Sequence, residues 1–103
     1  MEITHSKAEV PIRLKDARWQ HITDRHPEMR WQRARVLDTI AAPDVVQRGD
    51  YGALIAARHY NQPPGANVFV VVVYREVDRT DGFVITAYMA RRLSQRREVV
   101  WSR

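Results

Sequence analysis

The chain has 103 residues, one domain on the usual scale, with 45% apolar and 28% charged residues, which excludes a disordered chain and a coiled coil. It has no cysteine, so disulfide scaffolds, thiolate zinc sites and cysteine nucleophiles are excluded, and its longest strongly apolar run, at 68–74, is far short of the roughly 18 residues of a membrane span. Lys plus Arg number 17 against 12 for Asp plus Glu, a net +5; 15 of the 17 cations are arginine, whose planar fork matches phosphate, so an acidic partner is expected, nucleic acid first.

In chain order, residues 1–9 are polar and expected to be loose. Glu2, His5, Lys7 and Glu9 leave no apolar leader there, so a cytoplasmic protein without membrane association is expected. Residues 10–14 alternate apolar and polar and read as a short strand, which Pro11 confines to an edge or a strand start. Asp16 is an N-cap candidate for a helix over 17–25. Trp19 and Ile22 form its buried side, and Arg18, His21 and Arg25 step i, i+3, i+7 along a neighbouring face. Pro27 ends this helix at His26 and opens a second, with Glu28 in its first turn and Val36, Leu37 and Ile40 on its buried side. Ala41, Ala42 and Pro43 end it.

Strands follow at 45–48, 53–60, 67–77 and 83–89. They are separated by turn or loop residues at 49–52, 61–65 and 78–82. The valine run in the third is apolar on both faces and belongs at the sheet centre. Short connections favour a meander. The expected fold is α+β: two N-terminal helices packed on one face of a four-stranded antiparallel meander sheet, spanning 10–90. A tail at 91–103 carries five arginines, with a helix, an edge strand and an arm ordered on binding all open.

Of the four histidines, His21 and His26 are five apart. On a helix that spacing turns the rings about 140° apart, unlike the i, i+4 pair of a zinc motif, and no metal or other cofactor is expected. Proton transfer suits them better, since histidine titrates near neutrality. The alternative for each is a hydrogen-bonded structural residue. Phosphodiester cleavage without a metal needs a base for the 2′-OH, an acid for the leaving oxygen, and cations or donors for the phosphorane. Histidines, Arg58, Arg75, Thr86 and Tyr88 supply those types. Strand alternation places Thr86 and Tyr88 on one face and Phe83, Ile85 and Ala87 on the other, although Thr and Tyr are also simply good strand residues.

Several pieces stand in a fixed order: Ile12-Arg13-Leu14, Trp19-Gln20-His21-Ile22, Arg25-His26-Pro27-Glu28-Met29, Pro43-Asp44, Val71-Val72-Val73 followed by Tyr74-Arg75-Glu76, and Phe83-Val84-Ile85-Thr86-Ala87-Tyr88. Over about residues 10–90 this pattern resembles the phage-type members of the barnase/EndoU/colicin/RelE-like ribonuclease superfamily. The resemblance implies N-terminal helices against an antiparallel sheet and metal-independent RNA cleavage, often by a toxin or effector. The expected function is therefore a metal-independent endoribonuclease. His21 is its general base or acid, and His26 and Arg25 assist or bind phosphate. Arg18, Arg58 and Arg75 contact substrate, and Thr86 and Tyr88 donate hydrogen bonds. Trp31 and Tyr51 are candidates for stacking on bases, with core packing the first expectation for Trp31. The alternatives are a non-catalytic nucleic-acid-binding module and an interaction domain whose basic face meets an acidic antitoxin or immunity protein.

Overall fold

The computed structural model describes residues 1–103. In chain order the elements are β1 (Glu2–His5), β2 (Pro11–Leu14), α1 (Asp16–Arg25), a 3-10 turn (Pro27–Met29), α2 (Arg33–Ala41), β3 (Val45–Arg48), β4 (Leu54–Tyr60), β5 (Val68–Asp78), β6 (Asp81–Ala90) and β7 (Val99–Ser102). The strands form one seven-stranded sheet in the order β1-β2-β6-β5-β4-β3-β7.

This corrects the expected four-stranded antiparallel meander. The meander is present as β3–β6, but the sheet continues on both sides of it and is mixed. On one side the antiparallel β1/β2 hairpin joins β6 in parallel at Arg13 and Phe83. On the other side β7 pairs antiparallel with β3. The physical reason is that the added strands are held by side chains distant in sequence. Arg33 of α2 binds the Glu2 carboxylate, and the Thr4 hydroxyl donates to the Leu37 carbonyl, which fixes β1 although its residues are mostly exposed. The parallel join is clamped by Arg13, which donates from Nε and Nη2 to the two Asp81 oxygens at 2.8 and 3.0 Å. Gly82 allows the close approach there, because a Cβ would come within 2.6 Å of both the Arg75 carbonyl and Ile12 Cδ1.

The helices also depart from expectation in detail. Asp16 is the first residue of α1 rather than its cap, and its carboxylate accepts from Arg33 Nη2 at 2.9 Å. The second helix is interrupted: Pro27 opens only the 3-10 turn, and α2 begins at Arg33. Trp31 lies between them with 88% of its surface exposed, so it is not a core residue.

The two sheet faces are covered differently. On the face under α2, Ile12, Leu14, Ile22, Met29, Val36, Ile40, Val70, Val72 and Val84 are among 14 clustered buried residues. Tyr74 belongs to this layer, and burial, helped by the nearby Glu76 charge, pushes its phenol well above the usual value of 10.0. On the opposite face only Ile55, Ala57 and Val71 form a buried cluster. The segment 91–98 crosses that face, anchored by Leu93 and by a 2.8 Å hydrogen bond from Gln47 Nε2 to the Ser94 carbonyl. Val70, Val71 and Val72 of β5 are buried, which covers both faces of the strand, as the central position requires. No helix is long and apolar enough to cross a membrane.

Candidate active site

The register sets which side chains meet on the more open face. Tyr88 pairs across from Val71 and then Ala57, and Thr86 across from Val73 and then Ile55. A bulge interrupts β6 between the Val73–Thr86 and Tyr74–Val84 pairs, leaving Ile85 as the extra residue. Strict alternation therefore fails there. Val84 and Ala87 both enter the core, three residues apart, while Ile85 joins Tyr88 in a cleft on the other face.

That cleft holds about 330 Å³. Ile55 and Val73 contribute apolar surface, the β3–β4 turn contributes Asp50 and Tyr51, and Arg75, Tyr88 and Arg97 complete the polar lining. A smaller void of about 60 Å³ lies under the 91–98 segment, against Tyr88, Arg92 and Arg97. Arg75 donates to the Tyr51 carbonyl and faces no carboxylate, which leaves further N–H donors free. Arg97 is already engaged: its guanidinium donates to Asp50 Oδ1 at 3.1 Å and Oδ2 at 3.4 Å, and to the Arg48 carbonyl at 3.3 Å. The hydrogen bond and charge of Arg97 hold the Asp50 carboxyl below its usual range, and Asp50 raises Arg97 in turn.

Helix α1 lies beside β6. Arg18 Nη1 donates to the Ile85 carbonyl at 3.3 Å, and the His26 ring lies against Tyr88 with 5.9 Å between centroids. The His26 backbone N–H caps the helix by donating to the Ile22 carbonyl at 2.7 Å, which fixes where the imidazole starts. Its Nδ1 is 3.6 Å from a Glu28 oxygen. The half-buried His26 thus borders the cleft through Tyr88, with a carboxylate beside it.

Of the residues expected to act, the structure brings Arg75 and Tyr88 into one cleft and sets His26 and Arg18 at its margin. Thr86 is on the same face as Tyr88 but does not line the cleft. His21 and Arg25 are exposed, and His21 lines a shallow depression with Lys15, Ala17 and Arg18. Arg58 is on the α2 side, 5.4 Å from the Tyr60 ring centroid, with Nη1 3.4 Å from the Ala42 carbonyl. His59 packs edge-on against Phe69 at 5.2 Å, one register step beyond Tyr88. Asp50, Arg92 and Arg97 were not singled out by sequence reasoning; the arginine-rich tail ending in an apolar Val99-Val100-Trp101 anchor was the available signal.

No three His, Asp or Glu side chains converge in the fold. The cleft instead offers a free guanidinium, a phenol, a neighbouring imidazole and an apolar floor, a set that can hold a phosphodiester and move protons around it. Comparison with known proteins returned no matching family model, no matching curated protein and no matching solved structure.

Proposed function

We propose that the protein is a metal-independent endoribonuclease acting in this cleft. The observation that carries the reading is the convergence of Arg75, Tyr88 and Arg97 over an apolar floor, with His26 against the Tyr88 ring. The resemblance of the 10–90 stretch to barnase/EndoU/colicin/RelE-like ribonucleases supports it. Arg75 receives the non-bridging phosphate oxygens, where negative charge grows as the phosphorane forms, and Arg97, paired with Asp50, adds only its remaining N–H donors. His26, with Glu28 beside it, exchanges protons with the reacting oxygens, and the Tyr88 hydroxyl donates to the phosphate or the leaving oxygen. The 2′-oxygen loses its proton and bonds to phosphorus. The bond from phosphorus to the 5′-oxygen breaks, and that oxygen takes up a proton. The products are a 2′,3′-cyclic phosphate and a 5′-hydroxyl. The histidine role thus moves from His21 to His26, the imidazole that packs against the Tyr88 ring at the cleft's margin.

A second reading, a non-catalytic nucleic-acid-binding module, is favoured by one observation: Trp31 and Tyr51 expose 88% and 95% of their surfaces on a cationic protein. Incubation of the purified protein with mixed RNA in EDTA, followed by mapping of fragment ends, separates the two. Cleavage that survives EDTA and leaves cyclic or 3′-phosphate ends is expected. Strict Mg²⁺ dependence or 3′-hydroxyl ends overturn the mechanism, and binding without cleavage selects the module.

A further inference from the structure

We propose that Tyr51 is a stacking platform for one unpaired nucleobase, set beside the phosphate that Arg75 holds. The proposal rests on the nucleic-acid reading of the cleft and adds to it how the strand is gripped.

The β3–β4 connection is a tight turn in which the Ala53 N–H donates to the Asp50 carbonyl at 3.0 Å. Its two central residues, Tyr51 and Gly52, have φ of 54° and 82°. Positive φ at both positions is the mark of a two-residue hairpin turn that matches strand twist, and Asn-Gly is the favoured pair there. Gly52 satisfies that requirement. Tyr51 does not: a bulky side chain in the left-handed region crowds its own backbone. Packing offers no compensation, because the ring is 95% exposed. The fold therefore carries a strained aromatic that contributes no core contact.

The placement of the residue supplies a use. Tyr51 lines the cleft, and its carbonyl accepts from the Arg75 guanidinium, so phosphate ligand and platform form one braced unit. The neighbouring Asp50 carboxylate, which would repel a polyanion, is engaged by Arg97. An exposed flat ring beside free guanidinium donors suits an unpaired base, whose π-face any base presents. A paired base is already stacked on its neighbours and offers no such face, so the substrate class is single-stranded RNA.

The test uses the full chain and a single-stranded oligonucleotide with 2′-O-methyl sugars, which lack the attacking hydroxyl, and one 2-aminopurine whose position is scanned along it. Tyr51→Asn is expected to raise Tm by about 2–6 °C, because asparagine tolerates the left-handed region. It is expected to weaken binding by about ten-fold or more. Tyr51→Phe is expected to keep near wild-type affinity. Quenching of 2-aminopurine at one position in wild type and Tyr51→Phe, lost in Tyr51→Asn, supports stacking. An abasic nucleotide at that position should bring wild type down to Tyr51→Asn. Equal affinity of wild type and Tyr51→Asn overturns the platform while leaving the cleavage reading intact. If wild type binds no single strand, the platform and the nucleic-acid reading fall together. A lower Tm for Tyr51→Asn overturns the strain argument and assigns the ring a fold contact.

Discussion

The two faces of the sheet are made from the same strands and do different work. The face under α2 is closed by 14 clustered buried residues, while the other has three, with the 91–98 segment laid across it. Burial of a full aliphatic side chain is worth roughly 1.5–3 kcal/mol, so most of the folding energy lies on the first face. The second is left free to hold arginines, a phenol and a cleft. Stability and the candidate chemistry are therefore separable by side-chain direction along single strands: on β5, Val72 and Tyr74 serve one face and Val73 and Arg75 the other.

The largest break of this division should come from Leu14, fully buried on the α2 side. Leu14→Ala is expected to cost about 2–5 kcal/mol of stability, read by urea unfolding, while the folded fraction keeps its turnover. His26→Ala should do the reverse. Turnover should fall at least about 100-fold, close to 3 kcal/mol of barrier, with Tm changed by only a few degrees and RNA affinity by less than about ten-fold. His21→Ala is the matched control and should remain near wild type, since His21 lies outside the cleft lining. Full activity in His26→Ala would return the role to His21 or His59.

A smaller effect should mark the boundary between the two faces. Leu93→Ala removes the apolar anchor of the 91–98 segment and is expected to cost roughly 1–2 kcal/mol. It should also speed proteolysis within 91–98 and lower turnover more than its stability loss explains, because the same segment carries Arg97. The smallest effect concerns Tyr74. Its phenol is held neutral, so this contribution to stability is complete below about pH 10 and is lost as the pH rises above that value. Tyr74→Phe should remove this part of the alkaline loss, about 1 kcal/mol near pH 10.5, in paired unfolding curves.

Much of the central sheet was legible in the sequence. β3 to β6 follow from alternating or continuous apolar patterns and turn residues, and their ends fall within a residue or two of expectation. The flanking strands were not legible in the same way. β1 is polar and depends on Arg33 and Leu37 of α2, and the parallel join to β6 depends on Arg13 meeting Asp81. No local pattern encodes such pairings. Tyr88 was within reach through alternation along 86–88 together with residue chemistry, and Arg75 through residue chemistry alone. Arg58, expected to contact substrate, lies on the α2 side, and its neighbour Ala57 is the residue that faces the Tyr88 side. The i, i+3, i+7 face of Arg18, His21 and Arg25 is real on α1, but the helix lies at the β6 edge and leaves most of that face in solvent. Arg97 escaped because its position depends on β7 pairing with β3 about fifty residues earlier.

The Arg13–Asp81 clamp has a consequence in time. It closes a span of 68 residues, so β2 has no neighbour on its inner side until β6 has been synthesised. Loop closure over that distance is entropically slow compared with the hairpins of β3 to β6, which are local. The chain should condense first around β4, β5 and β6 and acquire both flanks afterwards. Arg97 belongs to the last segment to arrive, so a newborn molecule carries Arg75 and Tyr88 in place before its cleft is whole. Until β7 pairs with β3, nothing anchors the far end of the segment that brings Arg97 to the cleft.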